Sequence, residues 1–310
     1  MRIFLAGASG AIGRQLVPLL LAQGHHVTGM VRSSERGDAV RALGAEPAIA
    51  DALDGAAVRR AVEQARPEAV IHQLTSLPRR IDPRKIERDF VLNDRLRSEG
   101  TRHLVEAAQA VGTSRIVAQS IAFAYAPGPP GTVHAEHDPL FLDAPKPFAR
   151  SARAVHELER TVIGAGGLVL RYGYFYGPGT SISRQGSMGE DVARRRLPIV
   201  GSGQGVWSFI HIDDAAEATL TAISSGSAGA YNVVDDEPAP VSEWLPAFAQ
   251  ALGAPRPMRV PVFIARLAAG SYGVMTMTQA QGASNELAKR ELVWQPRHAS
   301  WREGFRTGLG

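Results

Sequence analysis

The chain opens on an unbroken apolar run, Ile3-Phe4-Leu5-Ala6, which alternates at neither period and so predicts a strand buried on both faces. Directly behind it, Gly7, Gly10 and Gly13 fall at three-residue intervals, and Ile12, Leu16, Leu19 and Leu20 recur at helical spacing. The two patterns then alternate. Apolar runs at 26–31, 47–50, 69–74, 115–120 and 168–171 predict strands, separated by helix-period stretches. The longest of these, 88–111, stops before Gly112, which suits a helix C′ position. Pro18 conflicts with the first helix, because it removes a backbone donor and should bend the helix there. This order predicts parallel βαβ units with right-handed crossovers, and a ligand crevice at the carboxyl ends of the strands.

Residues 126–147 are rich in proline and glycine without usable periodicity, and predict a long loop over that crevice. A helix is expected over 148–163. From Tyr172 onward the alternation weakens. The expected fold is α/β: a doubly wound Rossmann-type parallel sheet with a smaller C-terminal substrate lobe. Residues 1–171 form the first part, with 206–235 returning to the sheet through 211–224 and 230–234. Residues 172–205 and 236–310 form the lobe.

The glycine-rich turn carries the first chemistry. Gly7 permits the tight turn, Gly10 lets the backbone approach a pyrophosphate, and Gly13 lets the helix sit close to the strand. The free N–H groups and positive dipole end of the helix favour an anion there. Ser9, Ala11 and Ile12 share the turn and are expected to contact the cofactor with the three glycines.

Composition narrows the partners. The 310 residues contain no cysteine, which excludes disulfides, thiolate metal sites and a cysteine nucleophile. The net charge of +4 is spread along the chain without a basic, aromatic-interleaved helix, so nucleic acid is not expected as a partner. No apolar run approaches the ~20 residues of a membrane span, and the chain enters its first strand at once. No membrane partner, a cytoplasmic location and a small-molecule substrate are expected, with a homodimer left open. Lysine is scarce, with only Lys85, Lys146 and Lys289.

Further motifs accumulate along the chain: Asp51-x-x-Asp54, Glu99-Gly100-Thr101, Arg171-Tyr172-Gly173-Tyr174-Phe175-Tyr176-Gly177-Pro178, Phe209-Ile210-His211-Ile212-Asp213-Asp214 and Tyr231-Asn232-Val233. Together with the glycine turn, they make the chain resemble the extended short-chain dehydrogenase/reductase superfamily, the NAD-dependent epimerase/dehydratase family. The resemblance implies that Asp51 meets the adenine amino group, a suitable acceptor for that donor. It also places Leu74, Thr75, Ser120 and Tyr174 along the cofactor. Val31 stands where NAD users of the family carry aspartate, and Arg32-Ser33 follow. NADP is therefore expected, with NAD as the alternative.

Chemistry in this superfamily uses a tyrosine, a lysine four residues later and a serine or threonine. None of the six tyrosines here is followed by lysine at that spacing. By the resemblance, Ile121, Phe148 and Ala152 occupy the three positions, which marks an atypical member. Tyr174 stands where the family has an asparagine facing nicotinamide, and is the first candidate proton donor. His156, one turn beyond Ala152, and Tyr125 are further candidates, with the loop residues His134 and His137 behind them. His211 belongs to a motif that is structural in the family. No metal site is expected, because His134, Glu136, His137 and Asp138 lack further ligands at helical spacing. By the resemblance, Trp207 replaces an arginine that holds the diphosphate in nucleotide-sugar relatives, which suits an apolar substrate; the alternative is that Trp207 closes the lobe interface. The expected activity is NAD(P)-dependent oxidoreductase or epimerase-like chemistry on a small carbonyl or hydroxyl compound. The rival readings are a non-catalytic NADP(H) sensor and a non-redox catalyst that uses the nucleotide structurally.

Overall fold

The computed structural model describes residues 1–129 and 131–310, so Pro130 of the expected 126–147 loop lies outside the described residues. Seven parallel strands form the central sheet: β1 (Arg2–Ala6), β2 (His26–Val31), β3 (Glu46–Ile49), β4 (Ala69–His72), β5 (Arg115–Ile121), β6 (Leu168–Tyr172) and β7 (Gly229–Val233). Their order is β7-β6-β5-β4-β1-β2-β3. The chain thus reverses direction across the sheet between β1 and β4, which makes the carboxyl end of β1 the switch point where such sheets bind ligands.

Period two explains why the strands read as continuous apolar runs. Ile3 and Leu5 of β1, Ile71 of β4 and Leu168 and Leu170 of β6 enter one core layer. Phe4, Ala6, Val70 and Val169, one residue out of step, enter the other. Both faces are covered by helices, so no polar face is left. The first helix, Ala11–Ala22, runs straight through Pro18. Pro18 and Arg14 are both exposed, so the carbonyl that loses its donor faces water. The helix Ile212–Thr221 packs against it through Ala215 and Ala218.

Several boundaries differ from the sequence reading. The single helix expected over 88–111 is broken into Ile86–Asp89, Val91–Arg95, a π-helical turn Leu96–Gly100 and Thr101–Ala110. Only the last part is long enough to show a period, and Gly112 follows it at φ 72°. Within 211–224, His211 closes a short strand, Phe209–His211, that pairs with Tyr174–Tyr176 rather than with the central sheet. The loop after β5 is not free of structure: Val133–His134 pairs with Gly282–Ala283, and Tyr125 bridges Leu140. A separate apolar cluster gathers Tyr176, Trp207, Phe209, Trp244, Phe248, Trp301 and Phe305, with edge-to-face contacts such as Tyr176–Phe305 at 5.4 Å.

One buried ion pair joins these layers. Arg171 on β6 meets Glu159 on the helix Ala149–Gly164 through Nη2–Oε2 at 2.6 Å and Nε–Oε1 at 3.0 Å, a bidentate fork. Both side chains are buried. Ser120 on β5 donates to the same Oε1 at 2.6 Å. The remaining guanidinium nitrogen donates to the Tyr125 hydroxyl at 2.8 Å and the Glu136 carbonyl at 3.0 Å. Replacing Glu159 with leucine strands a buried charge, and is expected to cost about 3–5 kcal/mol. Adding Arg171→Met should recover part of that loss. Urea unfolding of the single and double variants checks this; a double variant no more stable than the single would mean that the hydrogen bonds, not the charges, carry the effect.

Candidate active site

Two crevices open along the carboxyl edge of the sheet. The first lies over β1 to β4 and is lined by the glycine turn, Val31, Arg32, Arg36, Ala50, Ala52, residues 73–75 and Leu96. The glycines behave as their spacing implies. Gly7 has φ +96°, and a Cβ there would meet the Gln73 carbonyl oxygen at 2.7 Å. At Gly13 a Cβ would lie 2.4 Å from the carbonyl oxygens of Gly7 and Ala8. A Cβ on Gly10 would meet only the Gly7 oxygen at 3.1 Å and would otherwise occupy the crevice. The helix that follows begins at Gly10 without a side-chain cap. Its first N–H groups are thus left for a ligand, which fits the phosphates of a dinucleotide. Ile12 is buried, Ala11 is half-buried, and neither is among the residues that line the crevice.

The rest of the crevice is held by polar contacts of the chain. Ser33 caps the helix Ser34–Ala42. Asp51 is exposed and accepts from the Leu53 N–H at 2.9 Å, and the cap of the helix Gly55–Ala65 is Asp54 instead. His72, buried, has its pKa lowered to about 4 by burial and the nearby Arg97 charge, so it is neutral at pH 7. Its Nδ1 accepts from the Leu74 N–H at 3.2 Å, which leaves Nε2–H to donate to Thr101 Oγ1 at 2.9 Å. This fixes the turn that presents Leu74 and Thr75. Ser120 is committed to Glu159, as described above. Arg36, which sequence reasoning missed, adds a second cation beside Arg32. Both are exposed and make no ion pair among the described residues. The signal was available: Arg36 lies one helical turn beyond Arg32.

The second crevice lies at the ends of β5 and β6 and is almost wholly aromatic and apolar: Phe123, Tyr125, Phe141, Phe148, Tyr174, Tyr272 and Met275 line it, with Gln279 and Gln281 at its polar side. Tyr174 is stacked between Phe123, 4.3 Å between centroids, and Trp207, 3.8 Å. Burial, with the Tyr272 phenol nearby, pushes its pKa well above the ordinary phenol value. It can give a proton but cannot act as a base. Trp207 is buried behind Tyr174 and donates its indole N–H to the Thr276 carbonyl at 2.9 Å. Tyr125 spends its hydroxyl on Asn232 Oδ1 at 2.6 Å and on Arg171, and burial raises its pKa to about 12.

The remaining candidates separate. His156 lies on an exposed stripe with Arg153, Glu157 and Arg160, so it faces water instead of the crevice. One turn beyond a buried residue did not keep it on the buried face. His137 is exposed. His134, a further loop candidate, is buried against Tyr125, with rings 4.6 Å apart, and bonds Asp138 at 2.9 Å and Gln281 at 3.0 Å. Among the described residues, His211, Asp214 and His298 bring ligand-type atoms within 4.8 Å of one another. Their atoms are already engaged: Asp214 accepts from the Arg297 and His298 N–H groups, and His211 bonds Asp213 N–H and the Gly308 carbonyl. Ile121, Phe148 and Ala152 share one buried cluster with Ala124, Ala144 and Val155, and Tyr272 stacks on Phe148 at 5.1 Å.

A switch-point crevice with an uncapped helix start, beside an aromatic pocket, defines a Rossmann-type dinucleotide-binding enzyme. The chain belongs to the NAD dependent epimerase/dehydratase family, whose model matches residues 3–234, and it is an enzyme of the short-chain dehydrogenase/reductase type. It is 49% identical, over 98% of this chain and 99% of the relative, to a protein from Streptomyces sp named 3-diazoavenalumate denitrifying reductase. Among solved structures, UDP-glucose 4-epimerase of Thermotoga maritima with UDP-glucose has a TM-score of 0.78 at 20% identity, covering 100% of this chain and 97% of that one. UDP-glucose 4-epimerase of Thermus thermophilus in complex with NAD has a TM-score of 0.75 at 25% identity, covering 100% and 98%. No helix among the described residues is long and apolar enough to cross a membrane.

Gly10→Val should abolish dinucleotide binding in a protein that remains folded, because the branched side chain fills the space of the phosphates. Calorimetry with NADP and NAD, beside a circular dichroism spectrum, checks it; normal binding by the variant would place the nucleotide elsewhere.

Proposed function

We propose that this chain is an NADPH-dependent reductase that replaces the dinitrogen of a diazo-bearing aromatic compound by hydride. The observation that carries the reading is the apolar cluster of Ile121, Phe148 and Ala152, at the three positions where the resemblance puts a hydroxyl, a phenol and an ammonium. Reduction of a carbonyl ends in an alkoxide that needs a proton, which is the task of that triad. Reductive loss of dinitrogen has no such need. A nicotinamide dinucleotide held by the glycine turn and Arg32 would supply the hydride for the new C–H bond, and the C–N bonding pair would leave with neutral dinitrogen, so that an arenediazonium and NADPH would give arene, dinitrogen and NADP. The relative named as a diazo denitrifying reductase, 49% identical, supports this class of substrate.

The pocket suits it. Phe123, Phe148 and Tyr272 line it with aromatic surface, and Tyr174, covered on both faces by Phe123 and Trp207, completes the wall. Their low polarity keeps out water, which would otherwise compete with hydride for the activated carbon. Tyr174, held between two rings, is a wall in this reading and not an acid. On the nucleotide side, Arg32 and Arg36, with Val31 in place of a carboxylate, support NADP over NAD.

Arg32→Ala and Arg36→Ala are each expected to weaken NADP binding by about tenfold or more and to leave NAD binding unchanged. Calorimetry decides it; an NAD preference in the unmodified protein, or undiminished NADP affinity in the double variant, would sink the assignment.

The reaction is tested with the diazonium salt of 3-aminocinnamate and NADPH carrying deuterium at nicotinamide C4. The expected products are one dinitrogen per NADPH and cinnamate with deuterium at the former C–N carbon, and Tyr174→Phe should lower turnover less than about tenfold. NADPH oxidation without dinitrogen release, or a loss of the ~10²–10⁴ typical of removing a general acid, would favour carbonyl reduction instead.

A further inference from the structure

The polar side chains that line the aromatic pocket fall into two sets. Three are spent within the chain: Tyr125 donates to Asn232, Thr276 to the Gly273 carbonyl at 3.0 Å, and Gln281 to the carbonyls of Gly128 and Pro129. The other three, Tyr174, Tyr272 and Gln279, have no side-chain hydrogen bond among the described residues. Gln279 is exposed, so water satisfies its amide at the open end of the pocket. The two phenols are half-buried among rings, where a hydroxyl without a partner is costly. Neither phenol oxygen is sealed in. The Tyr176 hydroxyl is closed off within the C-terminal apolar cluster, whereas those of Tyr174 and Tyr272 keep access to the crevice they line.

Local structure explains how Tyr272 reaches this place. The helix Val262–Thr278 is broken at Gly270, whose φ of 70° and ψ of −179° suit glycine alone. Beyond the break, Tyr272, Met275, Thr276 and Gln279 fall at i, i+3, i+4 and i+7, a single helix face, and all four line the pocket. Tyr272 stacks on Phe148 at 5.1 Å and packs in the same cluster as Phe123, which in turn stacks on Tyr174 at 4.3 Å. The two phenols are thus held by one continuous set of rings. Burial raises the pKa of both, so each keeps its proton through the neutral range. Among the described residues no charged side chain lines the pocket, which leaves an ionised oxygen without a counter-charge there.

We propose that the Tyr174 and Tyr272 hydroxyls form a recognition site for a phenolic hydroxyl on the substrate's ring, which makes a hydroxylated aromatic compound the substrate class. This rests on the reading that the pocket takes the substrate's ring. A tyrosine hydroxyl both donates and accepts, so one phenol donates to the substrate oxygen while the other accepts from its O–H. A carboxylate offers acceptors only and brings a charge, and an unsubstituted ring offers neither donor nor acceptor. Both tyrosines act by holding the ring, and neither proton leaves its oxygen.

Calorimetry with the NADP-loaded protein tests this without turnover, because cinnamate, 3-hydroxycinnamate and 4-hydroxycinnamate share one acid tail and differ only in the ring hydroxyl. At least one hydroxylated acid should bind about tenfold tighter than cinnamate, as two neutral hydrogen bonds provide. The ratio is read within each variant, which separates recognition of the hydroxyl from damage to the pocket. Tyr272→Phe and Tyr174→Phe should each cut the ratio severalfold, and the double variant should abolish the preference. Equal binding of all three acids by the unmodified protein overturns the proposal, as does a preference that survives the double variant or the failure of all three acids to bind. Should the double variant lose NADP binding, an unchanged ratio in both single variants overturns it. Dinitrogen release from the diazonium salt of 3-aminocinnamate without a hydroxyl preference sinks the phenol site alone, and a preference without dinitrogen release sinks the diazo reading alone.

Discussion

The contact on which the site depends is the fork between Arg171 and Glu159. Arg171 stands on a strand that is apolar everywhere else, and Glu159 on the buried face of its helix. Neither charge could be there without the other. Their pairing fixes the helix Ala149–Gly164 against β5 and β6. The spare donor of Arg171 reaches the Tyr125 hydroxyl and the Glu136 carbonyl, and Tyr125 in turn reaches Asn232. The Glu136 carboxylate accepts from the Asn232 N–H, so two residues of the loop after β5 are tied to β6 and β7, and the aromatic pocket receives one wall from a polar network that lies behind it.

The two crevices are built on opposite principles. The nucleotide crevice is electrostatic: backbone N–H groups at a helix start, two exposed arginines, and a turn whose glycines admit the ligand by lacking side chains. The second is a stack of rings in which few polar atoms face inward. Adjoining a phosphate-binding edge to an apolar slot sets a charged cofactor beside a site of low polarity.

What the sequence made legible follows from how local each signal is. The strands after Met1, His25 and Gly167 were readable because burial on both faces writes itself as an apolar run. The glycine turn was readable because close backbone approach leaves no alternative residue. The π-turn left no comparable mark, since its one extra residue looks like noise in a period of 3.6. His156 failed for a related reason: four residues move a side chain by about 40° around a helix, enough to take it from the buried face to water. Tyr272 was missed because its neighbours in space, Phe148 and Tyr174, are about a hundred residues away in sequence.

The aromatic pocket draws its walls from segments near residues 123–127, 141–148, 174 and 272–281, and no single element supports it. Gln281 draws the last of these to the first. Its amide accepts from the Gly128 N–H, donates to the Gly128 and Pro129 carbonyls, and meets His134. The short pairing of Val133–His134 with Gly282–Ala283 continues the same seam. A loop without usable periodicity in sequence is thus stitched to the C-terminal part of the chain by hydrogen bonds to its main chain. These need no particular side chain beyond one glutamine, which is why composition and spacing could not reveal them. The pocket exists only once both distant segments have folded, so its shape belongs to the whole chain, whereas the nucleotide crevice is complete within the first hundred residues.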